Sequence, residues 1–243
     1  APIRPRAPRK SKRGKGGYRE VKGVRIYLIG PEKRIIHVAS WHQIQEADDF
    51  TADLMRIADR IDVDRVRVAL LGDGAGWVWN AQVKAFPQGR QILDYYHCAE
   101  HVWKVADHLF GEGSLGAHEW AEATLVRLCL AEVKETIDDL CSLNPRSAQA
   151  REEVQKLITY LKNNAHRINY LENLETGYAI GSGAIESANK FISHTRMKRS
   201  GAWWVLPSGN GMLKIRCAIY NGTYDQLFNE YSNKPSLTAV ENK

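Results

Sequence analysis

The stretch Arg65-Val66-Arg67-Val68-Ala69-Leu70-Leu71-Gly72-Asp73-Gly74-Ala75-Gly76-Trp77 decides how this chain is read. Its first seven residues are rich in β-branched and aliphatic side chains and predict a short buried strand over 65–71. Asp73 follows at once on a glycine-flanked turn, and the spacing then predicts a helix over 77–86. A carboxylate at the C-terminal end of a buried strand, beside glycines that admit close approach, is where α/β folds place chemistry. The unit recurs: a strand over 90–93, then Asp94, then a helix over 95–110. Much later, Gly181-Ser182-Gly183-Ala184-Ile185-Glu186-Ser187 puts a third carboxylate at a helix start.

Outward from this centre, 18–28 and 34–41 alternate apolar with polar residues around Gly30-Pro31-Glu32, which predicts an antiparallel hairpin. Residues 47–61 carry Phe50, Leu54, Ile57, Ala58 and Ile61 at helical spacing. The order is therefore strand, strand, helix, strand, helix, strand, helix. Residues 117–174 differ, with Leu125, Leu128, Val133, Ile137 and Leu140, then Val154, Leu157, Ile158 and Leu161, at helical spacing. They read as an insert of two or three helices. A glycine-rich turn over 177–183 precedes helices over 184–197 and 211–220. The class is α/β, a core interrupted by an all-α insert. The expected divisions are a basic arm or loop (1–17), the first part of the core (18–116), the insert (117–176), the C-terminal part of the core (177–230) and a tail (231–243).

The 243 residues carry a net charge of +6, unevenly spread. Residues 1–17 hold seven cations (Arg4, Arg6, Arg9, Lys10, Lys12, Arg13, Lys15) and no acid, so the rest of the chain is net −1. From 187 to 224 there is again no acid, while Lys190, Arg196, Lys198, Arg199, Lys214 and Arg216 supply six positive charges. Two basic zones around an acidic middle suggest a polyanionic partner. Trp203 and Trp204 could stack on bases, but such a pair is more often core. No apolar run approaches the roughly 20 residues that span a bilayer, and the basic start does not read as a signal peptide. The four scattered cysteines (Cys98, Cys129, Cys141, Cys217) suit a reducing compartment. Three of them are expected on helices as small buried residues.

Carboxylate oxygens suit Mg²⁺, and paired ions can activate water in phosphodiester cleavage. That chemistry needs acids converging from different elements, and Asp73, Asp94 and Glu186 are the candidates. Four motifs in order surround them: Gly72-Asp73-Gly74-Ala75 with Trp77; Ile92-Leu93-Asp94-Tyr95-Tyr96-His97-Cys98-Ala99-Glu100-His101-Val102-Trp103; Gly177-Tyr178-Ala179-Ile180-Gly181-Ser182-Gly183-Ala184-Ile185-Glu186-Ser187; and Arg196-Met197-Lys198-Arg199-Ser200-Gly201. Together, from about Tyr18 to Phe228, the chain resembles insertion-sequence transposases of the ISKra type, DDE enzymes with an RNase H-like fold and Mutator-like relatives.

The resemblance implies an RNase H-like core of mixed sheet and flanking helices, with Asp73 and Glu186 as catalytic, metal-binding acids near one another. Asp94 and His97 match a supporting Asp/Cys-x-x-His signature. The resemblance further implies Mg²⁺ (or Mn²⁺), cleavage and strand transfer of transposon DNA, and a homo-oligomer on transposon-end and target DNA in a prokaryotic, nucleoid-associated, cytoplasmic setting. Arg9, Lys10, Lys12, Arg13, Lys190, Arg196, Lys198 and Arg199 would contact DNA. One departure matters. The family's first catalytic Asp lies on a strand before the basic loop, and no acid occurs from Ala1 to Gly17. The first strand and its Asp are therefore expected to be missing and the fragment inactive alone, with Glu20 the nearest acid.

Two other readings compete. His97-Cys98-Ala99-Glu100-His101 fits the H-x-x-E-H motif of inverted-zincin zinc metalloproteases, with both histidines on one helical face and Glu172 or Glu175 as a third ligand. It leaves Asp73, the Glu186 segment and the basic zones unexplained. The other is a nucleic-acid-binding module without catalysis, held by phosphate contacts.

Overall fold

The computed structural model describes residues 2–3, 19–200 and 202–233 and is a mixed α/β structure of helices and small sheets. It divides into two compact units, Ala1–Glu46 with Gly183–Lys243, and Ala47–Ser182. The basic arm, with Arg9, Lys10, Lys12 and Arg13, and the tail from 234 onward lie outside the described residues. No helix among the described residues is long and apolar enough to cross a membrane.

In the first unit, β1 (Pro2–Ile3) pairs antiparallel with β2 (Arg19–Glu20). The predicted hairpin is present as β3 (Lys22–Ile29) and β4 (Ile35–Gln43), antiparallel with a bulge between Ile26 and Tyr27. Within β4 and just after it the backbone is bracketed by asparagine side chains. The Ile44 amide donates to Asn210 Oδ1 (2.8 Å) and the Asn210 side chain donates back to the Ile44 carbonyl (3.1 Å). Asn221 repeats this at Ser40, accepting from its amide (2.8 Å) and donating to its carbonyl (2.9 Å). Side-chain amides thus satisfy backbone groups that a further strand would otherwise take.

The predicted helix over 184–197 is broken into α8 (Gly183–Asn189), a π-helical turn (Lys190–His194) and α9 (Thr195–Met197). Helix α10 (Leu206–Tyr220) starts five residues earlier than the sequence suggests, and α11 spans Tyr224–Ser232. Val21, Ile44, Ala188, Ile192, Met197, Leu213 and Cys217 form this unit's core. Trp204 packs against that core, whereas Trp203 is 46 % exposed, so only one of the Trp pair is a core residue.

His42 on β4 is buried, with Nε2 2.8 Å from Asn189 Oδ1 and Nδ1 4.0 Å from Cys217 Sγ. A Cβ at Gly23 would come within 2.4 Å of its ring, so glycine is required there. Burial lowers its pKa from 6.5 to about 4, opposed in part by the Asn189 bond. The unfolded chain takes up a proton near pH 6.5 that the folded unit refuses until about pH 4. Stability from neutral His42 is therefore complete above about pH 6.5 and is lost as pH falls toward 4, by on the order of 3 kcal/mol. Urea unfolding at pH 7 and pH 4.5 should show a smaller acid loss in His42→Gln than in the native chain. Equal losses would assign the acid sensitivity elsewhere.

The second unit begins with α1 (Ala47–Ala58). Strand β5 covers only Ala69–Gly72, shorter than the predicted 65–71, although the Val68 carbonyl already accepts from the Arg90 amide (2.9 Å). Arg67 instead lies over the Tyr178 ring (5.0 Å) and Val66 is exposed, so these residues stay out of the ladder. Helix α2 (Gly76–Ala85) follows, then β6 (Arg90–Leu93) and α3 (Tyr95–Phe110). Strands β5 and β6 are parallel, in register from Ala69↔Arg90 to Gly72↔Leu93.

Helices α4 (Leu115–Cys129), α5 (Val133–Ser142), α6 (Ala148–Asn164) and α7 (Tyr170–Glu175) complete the unit, four rather than two or three. Ser114 and Ser147 cap α4 and α6 by accepting the Ala117 and Ala150 amides, as short hydroxyls do at helix starts. A core of Val102, Val105, Leu128, Leu157, Leu161 and Tyr170, among others, joins α3 to the later helices. All four cysteines sit on helices, but only Cys98 and Cys217 are buried.

Candidate functional site

The parallel ladder of β5 and β6 ends at Gly72 and Leu93, so the next residues, Asp73 and Asp94, leave the pair at the same end. The Asp94 amide donates to the Gly72 carbonyl (2.8 Å). The two acids then diverge in character. Asp94 is 1 % exposed and caps α3, accepting the His97 amide at 2.8 Å. Its other oxygen accepts the Ser182 amide in a short bond. Together with the Tyr95 amide donating to the Ile180 carbonyl (2.9 Å), this ties the glycine-rich 177–183 turn to the start of α3. A Cβ at Gly181 would lie 2.5 Å from the ring of exposed Tyr96, so a larger residue there would push that ring aside. Asp94 is thus spent on backbone amides and stands as a structural group.

Asp73 is exposed. Its Oδ1 accepts the Ala75 amide (3.0 Å), and no bond to its other carboxylate oxygen is found among the described residues. Gly74 takes φ +104°, a region disfavoured for side chains. The Tyr160 hydroxyl of α6 donates to the Asp73 carbonyl (3.0 Å). The Tyr160 ring lies against His101, with centroids 4.2 Å apart, and faces His97 at 6.3 Å. Burial, then the neighbouring Cys98, Asp73, Asp94 and Glu100, push the Tyr160 pKa up, so the phenol keeps its proton as a donor. Burial and the neighbouring His97 lower the His101 pKa.

His97 and His101 are one turn apart with rings edge to face at 5.1 Å, and His97 Nδ1 is 3.3 Å from Glu100. Glu172 is held by Arg90 (2.8 Å) and by Asn169. Among the described residues no group of three or more His, Cys, Asp or Glu is placed to hold a metal ion. A cavity of about 490 Å³ lined by Trp103, Asp107, Glu112, Ser114, Leu115 and His118 shares no residue with the Asp73 neighbourhood.

Glu186 belongs to the other unit, exposed on α8. That helix is held by Arg25, which donates to the Ala184 carbonyl (2.6 Å), by buried Ala188, and by the His42–Asn189 bond. It leads into the basic zone. Lys190, Arg196, Lys198 and Arg199 are exposed, and none of them, nor Lys214 or Arg216, has a carboxylate within ion-pair reach among the described residues. The cations are close enough to feel one another. Burial and then Arg196 lower the Arg216 pKa, and burial and then Lys198 lower that of His194. The Arg216 guanidinium lies 3.9 Å over the Phe191 ring and donates to the Phe191 carbonyl.

Sequence reasoning missed Tyr160, the Arg216–Phe191 stack and the two bracketing asparagines. Tyr160 looks like one more half-apolar position on an amphipathic helix, and its partner Asp73 is 87 residues away. No family model matches this chain, and no curated protein or solved structure matches it.

Proposed function

We propose that this chain is a DNA phosphoryl-transfer protein of the DDE transposase class, with an RNase H-like core and the 117–176 segment as its helical insert. The observation that carries the reading is the α8 region: exposed Glu186 heads an acid-free stretch whose six cations have no carboxylate in ion-pair reach among the described residues. Unpaired Lys and Arg are what a phosphate backbone neutralises. Asp73, exposed at the end of a parallel strand pair, supports it from the other unit. The element order, an antiparallel hairpin, a helix and then two parallel strands each followed by a helix, supports the reading, while the hairpin and the parallel pair form separate two-stranded sheets.

In this reading Asp73 and Glu186 each offer carboxylate oxygen, which suits the hardness of Mg²⁺ or Mn²⁺. Such an ion supplies Lewis acidity toward the phosphodiester. The protein's own part in this reading is to bind and orient DNA. The cations take phosphate oxygens, and the α6-held turn keeps the Asp73 carboxylate at the strand end. A binding module without cleavage is the second reading, favoured by the acid-free basic stretch over 187–224, which phosphate contacts alone would use. Transposon ends, target DNA and self-association on DNA are the partners the first reading implies.

Nicking of labelled transposon-end DNA in Mg²⁺ tests it on the intact natural protein. Asp73→Asn and Glu186→Gln should each lower the nicking rate by roughly 100-fold or more, beyond the cost of an outer-shell group. DNA affinity should change less than about threefold, since neither carboxylate contacts phosphate directly. Nicking at the native rate in both variants would overturn the assignment, and tight binding with no nicking by the native protein would favour the module.

A further inference from the structure

The Asp73 turn does not stand by the strand alone. Tyr160, on α6 of the helical segment, donates its hydroxyl to the Asp73 carbonyl at 3.0 Å. The next residue, Gly74, lies so close under the Tyr160 ring that a Cβ there would sit 2.8 Å from Cε2 and 3.3 Å from Asn164 Nδ2. The ring's other neighbours are His101 at 4.2 Å and His97 at 6.3 Å, both on α3. Helix α3 starts at the Asp94 cap, whose backbone amide bonds Gly72. Asn164, one turn beyond Tyr160, accepts from Arg167, and Arg167 lies 4.4 Å over the Trp79 ring of α2. The backbone of the Asp73 turn, between β5 and α2, is therefore backed by α6, while the Asp73 side chain stays exposed. An exposed turn with one glycine at positive φ would otherwise sample several conformations.

We infer that Tyr160 is a positioning residue for the Asp73 carboxylate, so that the helical segment sets the geometry of the acid by a hydrogen bond to its carbonyl and by ring contact over Gly74. This deepens the DDE reading and rests on it for its catalytic consequence. The hydroxyl fixes the Asp73 peptide plane. That plane directs the side chain whose Oδ1 accepts the Ala75 amide, so loosening it releases both the turn and the carboxylate.

Two measurements on the same intact natural protein test this with Tyr160→Phe, which keeps the ring and removes only the donor. Amide hydrogen exchange at Ala75 should speed up about tenfold, the scale of one hydrogen bond removed, while exchange in α4 and α5 stays at native rates. Nicking of transposon-end DNA should lose about tenfold in kcat with KM for DNA unchanged, because a displaced acid weakens the chemical step and leaves phosphate contacts intact. Tyr160→Leu, which also removes the ring contact, should show larger changes of the same kind. Unchanged exchange at Ala75 in both variants would overturn the proposal. So would faster exchange with native kcat, since the turn would then open without consequence for the acid. If the native protein nicks no DNA, the DDE reading fails by itself, and the exchange arm still decides whether Tyr160 holds the turn.

Discussion

Replacing Arg196, Lys198, Arg199 and Arg216 together by alanine should weaken DNA binding about 4,000-fold at 0.1 M salt. The argument is counterion release. Each phosphate neutralised by Lys or Arg contributes about 0.9 to the slope of log affinity against log salt, close to eightfold in affinity at 0.1 M. Taking away four phosphate-neutralising cations should therefore lower the slope by about 3.6. These side chains are suited to that part because none has an acid partner among the described residues. Arg216 already feels Arg196, so bringing in phosphate relieves repulsion. Trp204, Met197 and Leu213 of the nearby core are untouched, so the unit should stay folded. Fluorescence anisotropy of a labelled duplex between about 50 and 300 mM salt, the range over which phosphate contacts show their salt dependence, is the measurement. An unchanged slope would show that DNA, if bound, lies elsewhere, and would remove the support that the basic zone lends to the DDE reading.

Asp94→Ala should destabilise the second unit by about 4 kcal/mol, near the top of what single substitutions do. The loss has two parts. Removing a helix cap costs about 1 kcal/mol, and each hydrogen bond to a charged acceptor about 1.5–3 kcal/mol. The second bond matters more, because the Ser182 amide that Asp94 accepts anchors the glycine-rich turn to α3. With alanine at this 1 %-exposed position, both amides lose their partner and water cannot readily replace it. Asp94→Asn should lose about half as much, since its amide oxygen can still accept one bond. Urea unfolding followed at α3 by residue-specific exchange reads both. A loss below about 1 kcal/mol in Asp94→Ala would mean that the cap and the turn are held by other interactions.

Much of the architecture was legible before any coordinates. Strand β6 and helix α3 begin and end where the pattern predicts, because Asp94 is a good cap, Gly111 a good stop, and Ile92, Leu93, Cys98, Val102 and Val105 keep one apolar face. The hairpin was legible from its alternation and from Gly30-Pro31. Local rules failed at three places. Arg65–Val68 has strand-like composition, but the ladder ends at Ala69 and Arg67 turns to Tyr178. Leu206-Pro207-Ser208-Gly209 looks like a loop, yet it is the first turn of α10. Proline needs no amide partner at that position, and Gly209 lies where a Cβ would meet Ile44 Cδ1 at 2.9 Å. The π-helical turn over Lys190–His194 has no signature in its residue types.

By itself the sequence determined which acids leave which strands and helices, where the cations gather, and which stretches are helical, because those properties depend on neighbours within a few residues. Only the tertiary structure decided what each acid does. Asp94 and Asp73 leave the same end of the same strand pair. One is buried on the amides of His97 and Ser182, and the other stays exposed under a tyrosine 87 residues along the chain. Burial and partner choice arise from packing between elements distant in sequence, and no spacing rule within a strand or helix carries that information.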